Sequence, residues 1–239
     1  MCSSDLAFES AKERIAAAAV RSGRSAGLVE LLVVSKTVAA EHLVDLVDGG
    51  VTAFGENRVQ ELEEKRAALQ RLRPRASIRW ELIGPLQSNK VRRAVAVADR
   101  ILSVDRVSVL DAIARAAREA TKVLSVAIQV NVDDDPAKGG FSVDALREAI
   151  PAIGAVVEGG GAVIDGLFTI GRSVPTPEES RGTFAALRSV SADVRHAAEA
   201  AGFTIGPLLS MGMSGDYEVA IEEGSTQVRL GSAIFGARA

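Results

Sequence analysis

Lys36 has the clearest potential for covalent chemistry in this sequence. It follows the apolar run Leu31-Leu32-Val33-Val34 and a single serine. A run that is apolar at every position predicts a strand buried on both faces, as in a parallel sheet covered by helices. Lys36 would stand at the carboxyl end of that strand, where parallel α/β folds bind ligands. A lysine partly removed from water there loses proton affinity and can form a Schiff base. The alternative is a solvated lysine that only marks where the strand surfaces.

Two later segments, 210–216 and 229–232, are rich in small residues and could bind a phosphate. Small residues at the last two strand-to-helix junctions of a barrel leave backbone N–H groups open, and phosphates frequently bind there. Taken singly, Gly212 or Gly231 is equally well explained by turn geometry. Together with Lys36 across the barrel mouth, the segments indicate a pocket for pyridoxal 5'-phosphate (PLP), with the lysine on the aldehyde carbon and backbone amides on the phosphate.

The elements that must position these residues alternate between short apolar and longer amphipathic segments. Strands are predicted at 31–34, 51–54, 79–83, 100–103, 124–130, 164–168, 204–210 and 227–230. Helices are predicted between them at 40–48, 56–72, 89–98, 106–120, 143–157, 177–200 and 215–223. Eight strands separated by helices predict a single α/β domain over 1–239, folded as a (β/α)8 TIM-type barrel, and the length is close to the roughly 250 residues typical of that fold. An additional N-terminal helix is predicted over about 5–21, because this segment is alanine-rich and ends before Ser22-Gly23.

Composition excludes several classes of function. Lys and Arg number 28 against 31 for Asp and Glu, a net charge of −3 that offers no basic field for nucleic acid. The single cysteine, Cys2, is expected to be an exposed terminal thiol, and the two histidines, His42 and His196, are far apart, so we expect no metal site. No apolar run is long enough to span a membrane, and the first ten residues carry no signal pattern. We therefore expect a cytoplasmic protein.

Five motifs carry a resemblance to a known family. They are Val34-Ser35-Lys36, Phe54-Gly55-Glu56-Asn57-x-Val59-Gln60-Glu61, Ile83-Gly84-Pro85-Leu86-Gln87-Ser88-Asn89-Lys90, Ser210-Met211-Gly212-Met213-Ser214 and Val228-Arg229-Leu230-Gly231-Ser232-x-Ile234-Phe235-Gly236. In order and spacing they closely resemble the pyridoxal phosphate homeostasis proteins of the YggS/PROSC type. The resemblance extends from about Glu30 to Arg238.

The resemblance implies a barrel of the alanine racemase N-terminal type that holds PLP on Lys36 as an internal aldimine. It further implies that Arg229 faces the pyridine nitrogen and that Asn57 lines the ring pocket. The residues implied around the phosphate are Ser210, Ser214, Gly231 and Ser232. The implied function is intracellular PLP homeostasis and delivery, by a monomer whose recipients are PLP enzymes without their cofactor.

The sequence departs from the family pattern at four positions. Many relatives have histidine where Glu81 stands, methionine at Phe168, glutamate at Asp135 and threonine at Ser232. Serine keeps the hydroxyl of threonine, so phosphate binding is expected to survive. No role is assigned to Glu81 from the sequence.

Two functional hypotheses follow. The first is a non-enzymatic carrier that buffers and delivers PLP. The second is a PLP-dependent amino-acid racemase or related carbanion enzyme, which needs proton donors on both faces of the substrate α-carbon. Lys36 could serve one face, but the only tyrosine, Tyr217, is expected to pack in the helix after the seventh strand, and we expect no second domain to supply another. We favour the carrier.

Overall fold

A computed structural model describes residues 3–236, and Cys2 lies outside them. Its strands are β1 Glu30–Val34, β2 Ala53–Glu56, β3 Arg79–Leu82, β4 Arg100–Val104, β5 Leu124–Gln129, β6 Ala162–Phe168, β7 Ile205–Met213 and β8 Gln227–Leu230. They form a closed parallel barrel in chain order, with β1 paired to both β2 and β8. The predicted TIM-type barrel is confirmed.

Helices cover the outside of the barrel. They are α1 Ser3–Arg21, α2 Val44–Asp48, α3 Val59–Leu72, α4 Val91–Val97, α5 Val107–Glu119, α6 Val143–Glu158, α7 Arg181–Ala200, α8 Tyr217–Glu222 and α9 Ser232–Phe235. Helix α1 is the predicted N-terminal helix, and it packs on α8 and α9. None of the helices within 3–236 is long and apolar enough to cross a membrane.

Two element boundaries differ from the prediction in ways that matter for the site. Glu56, predicted to open a helix, is instead the last residue of β2, and α3 begins at Val59. Strand β7 continues to Met213 instead of ending at Ser210, with an irregular register against β8 between those two residues. A periodic pattern could not reveal this extension, because the irregularity interrupts the alternation of side chains.

The apolar residues form two layers. A large cluster fills the space between the strands and the surrounding helices. A smaller one fills the barrel interior and consists of Leu32, Ala53, Leu102, Ala127, Phe168 and Leu208. Because side chains alternate along a strand, these inward positions also identify which polar residues face the barrel interior.

Candidate functional site

Lys36 lies where β1 leaves the barrel. Leu32 belongs to the interior cluster, so alternation along the strand places Val34 on the same inward side, and Lys36 follows two residues beyond the end of the strand. The lysine is half-buried and occupies a turn directly after Ser35. The structure thus puts the predicted nucleophile at the carboxyl end of the barrel.

The turn after Lys36 has an unusual backbone conformation. Thr37 has a φ of 67°, the left-handed region that a β-branched residue rarely adopts. Its N–H donates to Glu61 Oε2 at 3.2 Å, and the N–H of Val38 donates to the carbonyl of Ser35 at 2.9 Å. Such a conformation costs on the order of 1–3 kcal/mol and persists only where the surroundings impose it. The backbone that carries Lys36 is therefore held from both sides.

A buried ion pair lies behind this turn. Glu56 is fully buried, and its Oε1 accepts hydrogen bonds from Ser35 Oγ at 2.7 Å and from Lys65 Nζ at 2.6 Å. Lys65 Nζ also donates to the carbonyl of Ser35 at 2.7 Å. Burial raises the pKa of Glu56 above its usual range, and the hydrogen bonds from Lys65 and Ser35 oppose that shift. Ser35, the residue before Lys36, is thus fixed through both its side chain and its carbonyl.

Arg229 is the buried cation of the site. It is 4% exposed, its Nη1 donates to Ser210 Oγ at 3.0 Å and its Nη2 donates to the carbonyl of Thr169 at 2.7 Å. The guanidinium carbon also lies 4.5 Å from the centre of the Phe168 ring, a cation–π arrangement. Burial lowers the pKa of Arg229 to about 10, while the negative charges of Asp216 and Glu81 oppose the shift. The guanidinium therefore keeps its positive charge at neutral pH.

The residues predicted around a phosphate fall into two groups. Ser214 Oγ accepts from the backbone N–H of Gly231 at 3.3 Å and of Ala233 at 3.1 Å, so the seventh and eighth junctions are joined. Ser232, between those two amides, is exposed at the same junction. Ser210 is instead fully buried inside the barrel, where its hydroxyl donates to Gln227 Oε1 at 2.6 Å.

Asn57 follows β2 at the same end of the barrel and is half-buried. Its backbone lies against Gly84, where an added Cβ would come within 2.2 Å of the Asn57 carbonyl oxygen. Ser103 Oγ in turn donates to the Gly84 carbonyl at 2.6 Å. The loops after β2 and β3 are therefore in tight contact beside the site, and this contact requires glycine.

A cleft of about 310 Å³ opens at the sixth and seventh junctions. Its lining includes Lys138, Arg172, Met213 and Gly215. Lys138 reaches across this rim and donates to the carbonyl of Gly171. The rim beside Ser214 thus combines charged and apolar side chains and is open to solvent.

Known proteins similar to this chain identify its family. The family model described as "Alanine racemase, N-terminal domain" matches residues 12–239. The pyridoxal phosphate homeostasis protein of Aquifex aeolicus (strain VF5) is 38% identical over 226 residues, which is 95% of this chain and 94% of that protein. The protein of the same name from Escherichia coli (strain K12) is 37% identical over 228 residues, 95% of this chain and 93% of that protein.

The chain belongs to the pyridoxal phosphate homeostasis protein family.

A solved structure of a protein similar to this chain contains PLP. PipY of Synechococcus elongatus PCC7942, determined with PLP bound, is 34% identical and superposes with a TM-score of 0.80 over 94% of this chain and 99% of that one. The resemblance inferred from the five motifs is thereby confirmed at the level of family and fold.

Sequence reasoning did not identify three polar residues that organise the site. Lys65 appeared to be one more charge on an amphipathic helix, and only its contact with Glu56 shows that it is buried. Glu56 itself was assigned to the wrong element. Gln227 could have been found, because it lies two positions before Arg229 on one strand and so faces the same side.

Proposed function

We propose that this protein binds PLP at the carboxyl end of the barrel, holds it covalently on Lys36 as a Schiff base, and serves the homeostasis and delivery of the cofactor in the cytoplasm. The observation that carries the proposal is that Lys36 directly follows the carboxyl end of β1 while the buried Arg229 lies on the adjacent strand β8, opposite Leu32 of the barrel interior. When bound, PLP supplies an electrophilic aldehyde and an electron-accepting ring.

The residues at the barrel mouth fit this cofactor. Arg229 uses two of the five N–H donors of a guanidinium within the protein, which leaves donors for the pyridine nitrogen. Because it remains charged at neutral pH, it disfavours a proton on that nitrogen and weakens the ring as an electron sink. The amides of Gly231 and Ala233 both donate to Ser214 Oγ, and a bound phosphate would accept from them by taking the place of that hydroxyl. Asn57 would line the ring pocket from β2.

The racemase alternative has less support. A racemase needs a second proton donor opposite Lys36. Tyr217 is 2% exposed within the outer apolar layer, and the guanidinium carbon of Arg14 from α1 lies 5.3 Å from the centre of its ring. The tyrosine therefore packs between helices, as the sequence predicted, and does not face the barrel interior. A carrier role also agrees with the homeostasis function named for the relatives.

The carrier proposal predicts that the protein transfers PLP to other proteins but does not catalyse reactions of amino acids. Protein loaded with PLP should restore activity to a PLP enzyme stripped of its cofactor, while the α-hydrogen of alanine exchanges with deuterated water no faster than with free PLP. Lys36→Ala loaded to the same PLP concentration is the matched control. Rapid exchange by the wild type that Lys36→Ala abolishes would support the racemase instead.

The phosphate seat, by which we mean Ser214 and the backbone amides of Gly231 and Ala233, gives a separate prediction at Gly231. A Cβ there would lie 3.2 Å from the Val34 carbonyl oxygen, so Gly231→Val requires a shift of a few tenths of an ångström between the end of β8 and β1, and the branched side chain also crowds the Gly231 amide. We expect the dissociation constant for PLP to rise more than about tenfold, and less than about threefold for the exposed Ser232→Ala. Fluorescence titration measures both, and inorganic phosphate should compete. Equal affinities of the wild type for PLP and for pyridoxal, which lacks the phosphate, would contradict the seat.

A further inference from the structure

A continuous chain of hydrogen bonds crosses the barrel interior from its amino-terminal base to Arg229. Its members after Arg229 are Ser210, Gln227 and Glu81, all fully buried. Ser210 Oγ lies 3.0 Å from Arg229 Nη1 and 2.6 Å from Gln227 Oε1. Gln227 Nε2 lies 3.2 and 3.1 Å from the two carboxylate oxygens of Glu81. Glu81 is thus connected to the site although it lies well inside the barrel.

The carboxylate end fixes the direction of every bond in this chain. An ionised carboxylate only accepts hydrogen bonds, so Glu81 and Glu30, whose Oε2 lies 3.1 Å from Gln227 Nε2, both require the amide NH2 of Gln227 to face the base. The amide oxygen must then face Ser210, and the Ser210 hydroxyl must donate to it. The remaining lone pairs of Ser210 Oγ are left for Arg229, which can only donate.

The charges at the base are unbalanced without Arg229. The carboxylates of Glu30, Glu81 and Asp165 face the guanidinium groups of Arg79 and Arg100, with Glu81 Oε1 accepting from Arg79 Nε at 2.8 Å and Arg100 Nη1 at 3.1 Å. One negative charge of this group is therefore in excess. Arg229, buried in the same interior, carries a positive charge that interacts favourably with Asp216 and with Glu81 of this group.

We propose that Glu81 is a positioning residue for Arg229: acting through Gln227 and Ser210, it sets the orientation of the guanidinium toward the cofactor ring. A consequence is that the single proton of the Ser210 hydroxyl is committed to Gln227, so Ser210 serves the ring end of the site and not the phosphate. The inference rests on the proposed function, because it takes Arg229 to contact bound PLP.

The test compares Glu81→Gln with Glu30→Gln. Both remove one negative charge from the base, but Glu81→Gln replaces the fully buried acceptor with an amide that can also donate, and leaves only the partly exposed Glu30 to orient Gln227. Glu30 is one-third exposed, and its loss leaves Glu81 to hold Gln227. We expect Glu81→Gln to raise the dissociation constants for PLP and for pyridoxal by the same factor, about tenfold, and to shift the absorption maximum of the bound cofactor. Glu30→Gln should change neither affinity by more than about twofold.

Ser210→Ala tests the other end of the chain and keeps the inference testable if Glu81→Gln does not fold. It should weaken the binding of PLP and of pyridoxal equally, whereas Ser214→Ala should weaken only the binding of PLP. The double variant Glu81→Gln/Ser210→Ala should bind no more weakly than Ser210→Ala alone, because both changes break one chain.

Three outcomes would overturn the inference. Ser210→Ala could weaken the binding of PLP but not of pyridoxal, or the affinity losses of the two single variants could multiply in the double variant. The third is that Glu81→Gln and Glu30→Gln change the two dissociation constants and the absorption maximum by the same amounts. Each leaves the proposed function standing, since the wild type still binds PLP. A wild type that binds neither ligand would instead contradict the proposed function itself.

Discussion

Lys36→Ala should abolish the visible absorption band of protein mixed with PLP while leaving the fold intact. The band requires a covalent link to an amine, and Lys36 is the lysine that follows the carboxyl end of β1. Arg229 and the phosphate seat lie on other strands, so the variant should still bind PLP noncovalently, at least about tenfold more weakly than the wild type. Absorption spectra and a fluorescence titration measure the two effects.

Lys90→Ala is the matched control for this change. Lys90 is an exposed lysine in the short turn Ser88–Lys90 after β3, near the same end of the barrel. Its replacement removes one amine from the region without touching β1. A band that survives Lys36→Ala and is lost in Lys90→Ala would reverse the assignment.

Lys65→Met should cost about 3–5 kcal/mol in the free energy of unfolding, because it leaves Glu56 as a buried charge without a cationic partner. The loss should depend on pH. Without Lys65 the pKa of Glu56 rises further above its unfolded value, so the folded state is favoured while Glu56 is protonated and loses stability as pH rises through the folded-state pKa. Urea unfolding should therefore show a smaller loss at pH 5 than at pH 8.

Two variants make this result specific to the buried pair. Lys12→Met removes a lysine from an exposed pair with Glu9 and should change stability by less than about 1 kcal/mol. Glu56→Gln/Lys65→Met removes both charges and should recover most of the loss at pH 8. A loss in Lys65→Met below about 1 kcal/mol at both pH values would show that the pair does not stabilise the turn that carries Lys36.

The fold could be predicted, and Lys36 could be placed at the carboxyl end of a strand, because both are encoded locally. A wholly apolar run that ends near Lys36 identifies a buried strand and its carboxyl end, and the alternation of such runs with amphipathic segments identifies the barrel. The roles predicted for Arg229 and Gly231 rest on a long motif that resembles the family pattern. None of these assignments depends on knowing which side chains meet in space.

The parts that sequence reasoning missed depend on contacts between distant segments. Glu56 was predicted to open a helix, whereas it ends β2, and its burial there depends on Lys65 from the next helix. Ser210 was grouped with the phosphate residues through its motif, yet its hydroxyl is committed to Gln227 on the neighbouring strand. Glu81 had no interpretable role until its bonds to Arg79, Arg100 and Gln227 were known.

Reduction of PLP-loaded protein with borohydride, followed by mass spectrometry of its peptides, tests the central claim most directly. Borohydride makes the link between the cofactor and its lysine permanent, so the labelled peptide identifies the residue. We expect the added mass of the cofactor on the peptide that contains Lys36. The same mass on the peptide of Lys90 or of Lys138, with Lys36 unmodified, would contradict the proposed site.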